Sequence, residues 1–267
     1  MYERLPVSEV SVAARLQESG AHALELEGVA RHFGALVALS GISMKIPASE
    51  RRAVIGSNGA GKTTLFNAIT GDFMPTAGRI RFFNEDITTL PVQERIRRGL
   101  RRTYQISQLF GGLSVRDSVY LACRGVSRGR FSLTRPRADD RTMMQAETII
   151  HAVHLEAIRE RLVATLSHGQ QRQLEIALAL AGAPRFILFD EPAAGLSPTE
   201  RRDLVTILNA LPKHIGYIII EHDLDVALRV TEYVTMLHNG RMFKEGTPEE
   251  IEDDPQVQEV YLGGRHG

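Results

Sequence analysis

Short apolar runs alternate with amphipathic stretches along this chain. Residues 24–30 alternate apolar and polar side chains, as a strand with one buried face does. Other runs are apolar throughout, which is typical of strands buried on both faces. The further predicted strands are 41–46, 53–55, 79–83, 186–189, 218–220 and a hairpin of 234–237 with 241–244. Strands that alternate with helices indicate an α/β fold with a mostly parallel sheet covered on both faces.

Helices are predicted from apolar spacing and from capping residues. Residues 65–69 follow a glycine-rich loop and predict one helix. Apolar side chains at spacings of three and four predict another helix over residues 143–157. Three more helices are expected to begin at capping boxes, namely Ser167 with Gln170, Ser197 with Glu200, and Thr247 with Glu250.

The loop between the strand at 53–55 and the helix at 65–69 has the pattern of a P-loop. It reads Gly56, Ser57, Asn58, Gly59, Ala60, Gly61, Lys62, Thr63 and Thr64. Glycines allow backbone N–H groups to surround a polyphosphate, Lys62 adds positive charge, and the Thr63 hydroxyl is placed to ligate Mg²⁺. The alternative is a glycine-rich turn that only connects a strand to a helix. The flanking elements favour a site for a nucleotide such as ATP.

Composition limits the class of protein. The 267 residues allow one large or two small domains, and the 32 basic and 32 acidic side chains give no overall basic surface for nucleic acid. Cys123 is the single cysteine, so the chain has no internal disulfide and no cysteine-based metal site. We interpret His151 and His154 as surface histidines. No apolar run reaches the length of a membrane span, and the N-terminus lacks an apolar signal core, which predicts a cytoplasmic protein.

Two arginine-rich segments flank an apolar loop. The first contains Arg95, Arg97, Arg98, Arg101 and Arg102, and the second covers 124–137. We expect both segments to be solvated faces. The loop between them, at 106–113, is unusually rich in large apolar residues.

Further motifs follow the later strands in a fixed order. Asp190 and Glu191 end one apolar strand, His222 follows another, and Leu166 precedes Ser167-His168-Gly169-Gln170. Together with the P-loop, this order resembles the ATP-binding-cassette (ABC) ATPases from residue 23 to the C-terminus. The resemblance implies a RecA-like P-loop NTPase core with a mostly parallel sheet, an antiparallel β subdomain and an inserted helical subdomain at about 106–166. It implies an ATPase domain over 23–250, a polar extension at 1–22, and a C-terminal helix and tail at 251–267.

The resemblance also implies roles for single residues. Phe33 matches the aromatic side chain that stacks on adenine, although core packing is its alternative role. Gln105 matches the glutamine that reaches Mg²⁺ and the attacking water, and Asp190 matches the aspartate that holds Mg²⁺. Glu191 matches the general base. His222 matches the histidine that contacts the γ-phosphate, with a structural role as the alternative.

In the ABC ATPases, the segment that Ser167, His168, Gly169 and Gln170 match, here called the signature segment, closes over the P-loop of a second subunit. The resemblance therefore implies a head-to-tail dimer, with an identical or homologous partner, that encloses two ATP molecules. Two residues depart from the family pattern. His168 stands where the family has glycine, and Ser197 stands where most members have aspartate.

Within the family, residues 191–196, the signature segment and residues 260–263 resemble the ATPases of branched-chain amino acid importers. The segment at 124–142 is similar to the longer of their two ATPase subunits. This implies a peripheral protein on the cytoplasmic face of the inner membrane, which works with an integral-membrane permease and, indirectly, a periplasmic solute-binding protein. Leu109 and Phe110 would contact the permease, unless the loop is buried against the helix that follows it.

Three other functions within the superfamily are alternatives to import. A lipid or lipopolysaccharide export ATPase has similar size and motifs. A chromosome-maintenance ATPase needs a long coiled coil between the nucleotide motifs, and the segment between Lys62 and Asp190 is too short for one. A regulatory cassette that does not hydrolyse ATP is disfavoured because Lys62, Asp190, Glu191 and His222 are all present.

Overall fold

The computed structural model describes residues 22–103, 109–125 and 141–263. The chain divides into two compact units. The sheet unit contains described residues 22–102, 185–191 and 213–263, and the helical unit contains 103, 109–125, 141–184 and 192–212. Gln105, residues 106–108, and most of the extension at 1–22 and of the segment at 124–142 lie outside the described residues. The boundaries predicted for the helical subdomain, about 106 and 166, stay a prediction.

Ten strands lie in the described residues, all of them in the sheet unit. They are His22–Phe33 (β1), Leu36–Pro47 (β2), Arg51–Ile55 (β3), Ala77–Phe82 (β4), Glu85–Asp86 (β5), Leu100–Arg102 (β6), Phe186–Asp190 (β7), Tyr217–Ile220 (β8), Tyr233–His238 (β9) and Arg241–Gly246 (β10).

Six of these strands form the larger sheet, in the order β10-β9-β3-β8-β7-β6. Every neighbouring pair is parallel except the hairpin of β9 and β10. All residues of β3, β7 and β8 are buried, and the predicted apolar runs 53–55, 186–189 and 218–220 lie within these strands. Asn239 and Gly240 turn the hairpin with φ of 49° and 73°, as the preferred two-residue turn requires. The predicted mostly parallel α/β fold is confirmed.

The smaller sheet is antiparallel, in the order β2-β1-β4-β5. β1 and β2 extend well beyond the predicted strands at 24–30 and 41–46, and they pair as far as Phe33 with Leu36. Gly34, at φ 60°, lies in the turn between them. The predicted ends were wrong because this end of the hairpin is largely exposed, and its side chains lose the alternation that marks a half-buried strand.

Nine α-helices lie in the described residues. They are Lys62–Thr70 (α1), Val92–Arg97 (α2), Val115–Gly125 (α3), Arg141–Ala152 (α4), His168–Leu180 (α5), Pro198–Ala210 (α6), Leu224–Val230 (α7), Pro248–Glu252 (α8) and Pro255–Gly263 (α9). The capping boxes predicted at Ser167, Ser197 and Thr247 are present at α5, α6 and α8. None of these described helices has the length and apolar character needed to cross a bilayer.

The helix predicted over residues 143–157 ends earlier than expected, at Ala152. His154 has a positive φ of 59°, and the Leu155 N–H donates to the Ile150 carbonyl while the His154 N–H donates to the His151 carbonyl. These two hydrogen bonds form a Schellman motif, which satisfies the last carbonyls of the helix. Leu155 is fully buried. The apolar spacing therefore continues past the helix end because the cap itself packs into the core of the helical unit.

The first arginine-rich segment is not a solvated face throughout. Arg95 is 1% exposed, and its guanidinium donates to the carbonyls of Ala68 and Ile69 in the last turn of α1. It also donates to the carbonyls of Leu90 and Thr88. Burial lowers the pKa of Arg95 to about 10, so it stays charged near neutral pH. The prediction was wrong here because a helix end leaves carbonyls without partners, and a long cationic side chain can satisfy several at once.

Candidate functional site

The glycine-rich loop connects β3 to α1 in a geometry that only glycine permits at two positions. A Cβ at Gly56 would lie 2.3 Å from the Leu237 carbonyl oxygen, and Gly56 has a φ of 146°. A Cβ at Gly61 would lie 2.8 Å from the Ala38 carbonyl oxygen, and Gly61 has a φ of 104° as the N-cap of α1. The strand, loop and helix context predicted for a P-loop is therefore present. The loop backbone packs closely against the backbone at Leu237 and Ala38.

The hairpin turn between β9 and β10 supports this loop. The Gly240 N–H donates to the Ala60 carbonyl at 3.0 Å, and the Ser40 N–H donates to the Gly240 carbonyl at 2.8 Å. A Cβ at Gly240 would lie 2.7 Å from the Ala38 carbonyl oxygen. Backbone from β2, the P-loop and the turn is thus in direct contact.

Lys62 is folded back into the loop. Its Nζ donates to the carbonyls of Gly56 at 2.7 Å and Ser57 at 3.0 Å. Burial lowers the pKa of Lys62, while the nearby carboxylates of Glu191 and Asp190 act to raise it. Thr63 is exposed in the first turn of α1, a turn without an acidic side chain. A cation, an exposed hydroxyl and the N-terminus of α1 therefore lie together, as a polyphosphate site requires.

Asp190, Glu191 and His222 are placed by the ends of two adjacent parallel strands. Asp190 is the last residue of β7 and is buried, while Glu191 and His222 follow the ends of β7 and β8. Because β3 is the next parallel strand, its carboxyl end brings the P-loop to the same sheet edge. Glu191 Oε1 lies 2.8 Å from His222 Nε2. Two of the three predicted catalytic side chains, Glu191 and His222, are therefore paired, and the third, Gln105, lies outside the described residues.

Glu191 adopts a backbone conformation that few non-glycine residues adopt, with φ at 49°. Its N–H donates to the Ile220 carbonyl at 2.9 Å, which continues the pairing of β7 with β8 one residue past Asp190. Strained backbone at a strand end is frequent at functional sites, because the surrounding structure holds it in place. The geometry directs the Glu191 side chain to His222.

Arg102 also belongs to this site, and no motif of the sequence predicted it. Its Nη2 lies 2.6 Å from Asp190 Oδ2, and the two side chains are 6% and 3% exposed. Arg102 was included in the arginine-rich segment that was expected to be solvated, which is a second error of that prediction. A usable signal was its position at the end of a strand, three residues before Gln105.

Phe33 lies at the end of β1 and is 45% exposed. Its ring meets the Phe73 ring edge to face with centroids 5.6 Å apart, and the Arg31 guanidinium lies 4.5 Å from the Phe33 centroid. An aromatic ring that keeps nearly half its surface exposed is suited to stacking on a planar group. Adenine stacking by Phe33 stays a prediction.

The residues at the sheet edge fit a magnesium ion that is held partly by phosphate. The described residues contain no cluster of three His, Cys, Asp or Glu side chains that could bind a metal on its own. Mg²⁺ is commonly held by one or two carboxylates together with substrate phosphates. Asp190 and the Thr63 hydroxyl supply suitable oxygen donors, and Gln105, the third predicted ligand, lies outside the described residues.

The signature segment begins α5 in the helical unit. Ser167 is the exposed N-cap, its hydroxyl accepts the Gln170 N–H at 3.2 Å, and the Gln170 side chain accepts the Ser167 N–H at 3.0 Å. Gly169 is buried because the Glu200 carboxylate lies against it, so that a Cβ there would be 2.3 Å from Glu200 Oε1. The first turn of α5 contains no acidic residue of its own.

Comparison with known protein families agrees with these motifs. A model described as ABC transporter matches residues 39–194. The chain belongs to the ABC transporter family. A second model, described as Branched-chain amino acid ATP-binding cassette transporter, matches residues 245–267. The resemblance inferred from the motifs is confirmed.

Individual relatives cover nearly the whole chain. The high-affinity branched-chain amino acid transport ATP-binding protein BraF of Pseudomonas aeruginosa is 36% identical over 90% of this chain and 97% of its own length. The lipopolysaccharide export system ATP-binding protein LptB of Acidithiobacillus ferridurans is 34% identical over 90% of this chain and 96% of its own. The crystal structure of the ADP conformation of MJ1267, an ATP-binding cassette of an ABC transporter, aligns with a TM-score of 0.80 at 31% identity. That alignment covers 91% of this chain and 99% of MJ1267.

The two departures from the ABC pattern lie beside the same loop of the helical unit. His168 Nε2 lies 3.1 Å from the Ala194 carbonyl oxygen, so this nitrogen carries the hydrogen and donates it. A Cβ at Gly195 would be 3.0 Å from His168 Nε2, and Gly195 has a φ of 75°. Ser197 caps α6 two residues later. The histidine that replaces glycine therefore holds the loop in which serine replaces aspartate.

Glu200 links the same two segments from the other side. Its carboxylate accepts the Ser197 N–H at 2.9 Å and the Ser197 hydroxyl at 2.8 Å. The pKa of Glu200 is held below its usual value by hydrogen bonds from the backbone N–H and the hydroxyl of Ser197. The Gly169 N–H contributes a further hydrogen bond. The N-termini of α5 and α6 therefore share one carboxylate.

We predict that His168→Ala removes the hydrogen bond to Ala194 and loosens the loop at 194–197. A hydrogen bond of this kind contributes about 1 kcal/mol, so amide exchange in the loop should become roughly fivefold faster. Hydrogen–deuterium exchange with mass spectrometry measures this. His168→Gln keeps a donor and should exchange nearly as slowly as the unaltered chain. Equal exchange in all three proteins would contradict the assigned contact.

Proposed function

We propose that the chain is the ATP-hydrolysing subunit of an ABC import complex that takes up branched-chain amino acids or a related small polar solute. The observation that carries hydrolysis is the Glu191–His222 pair beside the P-loop, at the carboxyl edge of β3, β7 and β8. The match of residues 245–267 to the branched-chain model and the similarity to BraF support this class of cargo.

In this proposal each side chain has its own part in hydrolysis. The N–H groups of the P-loop and of the first turn of α1 bind the β- and γ-phosphates, and Lys62 transfers its Nζ contacts from the loop carbonyls to phosphate oxygens. Mg²⁺, held by Asp190, Thr63 and Gln105, would neutralise phosphate charge. Glu191 accepts a proton from the attacking water as general base. His222 contacts the γ-phosphate in this proposal, and its Nε2 lies 2.8 Å from the Glu191 carboxylate in the structure.

The signature segment acts on the nucleotide of a second subunit in this proposal. The signature segment of Ser167, His168, Gly169 and Gln170 forms a helix start at which Ser167 and His168 are exposed. The chain's own P-loop already has the N-terminus of α1 for its phosphates. A second phosphate-binding helix start is useful if another chain supplies the phosphate. The partner is an identical or homologous ATPase subunit, arranged head to tail.

Transport requires partners in the membrane. The proposed assembly contains an integral-membrane permease, receives solute from a periplasmic binding protein, and places this chain peripherally on the cytoplasmic face of the inner membrane. A balanced charge of 32 basic and 32 acidic residues gives no support to nucleic-acid binding. The similarity to LptB makes a lipopolysaccharide-type exporter the second candidate. Co-purification with a solute-binding protein and its permease favours import, and co-purification with export components favours the alternative.

The loop ending at Leu113 is the proposed permease contact. Phe110 is 75% exposed and Leu109 is half-buried. The described part of the loop, 109–113, accepts two backbone hydrogen bonds, from the Ala164 N–H to the Gly111 carbonyl and from the Val163 N–H to the Leu113 carbonyl. An exposed phenylalanine on a well-anchored loop is a typical anchor for a partner's pocket.

We predict that Glu191→Gln lowers the rate of ATP hydrolysis by about 10²–10⁴-fold, because the amide cannot accept the proton of water. Single-turnover release of phosphate measures the rate, and a fluorescent ATP analogue measures binding, which should be nearly unchanged. Glu249→Gln, an exposed change in the first turn of α8, is the control and should hydrolyse normally. Hydrolysis by Glu191→Gln at the unaltered rate would show that another residue is the base.

We predict that Phe110→Ser weakens assembly with the permease at least about tenfold and lowers transport accordingly, while ATP binding by the isolated chain is kept. Pull-down of the permease and uptake of solute into proteoliposomes measure the two effects. Met144→Ser is the matched control, since Met144 is 61% exposed on α4. Normal assembly and uptake with the Phe110 variant would rule out this loop as the contact.

A further inference from the structure

Arg102 joins the carboxylate of Asp190 to the end of the P-loop helix. Besides the contact of Nη2 with Asp190, its Nη1 lies 2.6 Å from Asn67 Oδ1 and 3.0 Å from Asp72 Oδ2. Asn67 belongs to α1, and Asp72 follows its C-terminal end. The guanidinium also lies 5.7 Å from the centroid of the Phe66 ring. One buried cation therefore contacts two carboxylates on different elements.

We propose that Arg102 is a positioning residue that occupies Asp190 until Mg²⁺ arrives with the nucleotide, and that it thereby sets the affinity of the site for the ion. The inference rests on the proposed function, because it takes Asp190 as a ligand of Mg²⁺. It concerns Arg102, which the motifs of the sequence do not include.

Electrostatics gives the direction of the effect. Asp190 is 3% exposed on its side chain, and a carboxylate at such a place is strongly stabilised by a neighbouring cation. An arginine side chain does not lose its proton at physiological pH, so its positive charge remains when a divalent ion approaches. A fixed positive charge beside the ligand opposes the ion. The free ion is therefore bound weakly, and it gains affinity when the nucleotide brings negative phosphates to the same edge.

Asp72 gives Arg102 an alternative partner. Its side chain is 32% exposed, much more than that of Asp190, and it already contacts the same guanidinium through Nη1. When Asp190 turns to the ion, Asp72 keeps Arg102 paired. Arg95 provides a contrast, because its described hydrogen bonds go to backbone carbonyls, and it has a structural role at the end of α1. Arg102 can exchange between the carboxylates of Asp190 and Asp72, whereas the contacts of Arg95 are purely structural.

The test measures ion binding directly, with Mn²⁺ as a paramagnetic substitute for Mg²⁺. Free Mn²⁺ is titrated by electron paramagnetic resonance into the full chain with a non-hydrolysable ATP analogue. Arg102→Gln should bind Mn²⁺ about three- to tenfold more tightly than the unaltered chain, because the opposing charge is removed. Arg101→Gln, a change at the neighbouring residue of β6 whose side chain bonds the Leu100 carbonyl, is the matched control and should not change Mn²⁺ affinity. If Arg102 had only a structural role, its loss would weaken Mn²⁺ binding. The expected increase in Mn²⁺ affinity therefore separates a positioning role from a structural one.

Asp72→Asn is the second variant and keeps Arg102 in place. Without its alternative carboxylate, Arg102 binds Asp190 more firmly, and the Mn²⁺ affinity should fall about threefold. The proposal is overturned if Arg102→Gln binds Mn²⁺ with unchanged or lower affinity. If Arg102→Gln does not fold, unchanged Mn²⁺ affinity in Asp72→Asn overturns it. Nucleotide binding by the unaltered chain is measured in parallel with a fluorescent ATP analogue and saturating Mg²⁺. If that binding is absent, the proposed function itself fails, whereas normal binding with unaffected Mn²⁺ affinity rejects the role of Arg102 alone.

Discussion

The structure depends on the close backbone contact between the P-loop and the turn of the β9–β10 hairpin. At Gly56, Gly61 and Gly240 the neighbouring carbonyl oxygens lie within 2.8 Å of where a Cβ would stand. Any other residue would push the loop away from the hairpin or from β2. Because all three positions also have positive φ, glycine satisfies two constraints at once. This contact fixes the direction of the N–H groups that would surround phosphate.

The parallel sheet brings the remaining chemistry to the same edge. β3, β8 and β7 are consecutive neighbours, so the loop after each strand emerges beside the next. The carboxylates of Asp190 and Glu191 are close enough to Lys62 to oppose the effect of burial on its pKa. The P-loop supplies the cation and N–H groups, and the other two strand ends supply the carboxylates and the histidine. These are the groups that our proposal of ATP hydrolysis uses, and the relationship to the ABC transporter family agrees with that activity.

Much of this arrangement could be predicted from the sequence, because glycine spacing, capping boxes and apolar strands are local signals. The P-loop, the capped starts of α5 and α6, and the apolar core strands were all visible in that way. The contacts of Arg95, Arg102 and His168 were not, because each joins segments far apart in sequence. A cluster of arginines has the same composition whether it faces solvent or binds carbonyls and carboxylates. Likewise, apolar spacing cannot separate the helix end at Ala152 from the buried cap that follows it.

The central claim, that the loop at 56–64 binds the phosphates of ATP, is tested most directly by equilibrium titration of ATP into the chain and its Lys62→Ala variant. Lys62 lies at the start of α1, where alanine preserves the helix, and circular dichroism checks that the fold is kept. The account predicts that the variant binds ATP at least about tenfold more weakly, which is the loss of about 1.4 kcal/mol of binding free energy. Equal affinity in the two folded proteins would contradict it.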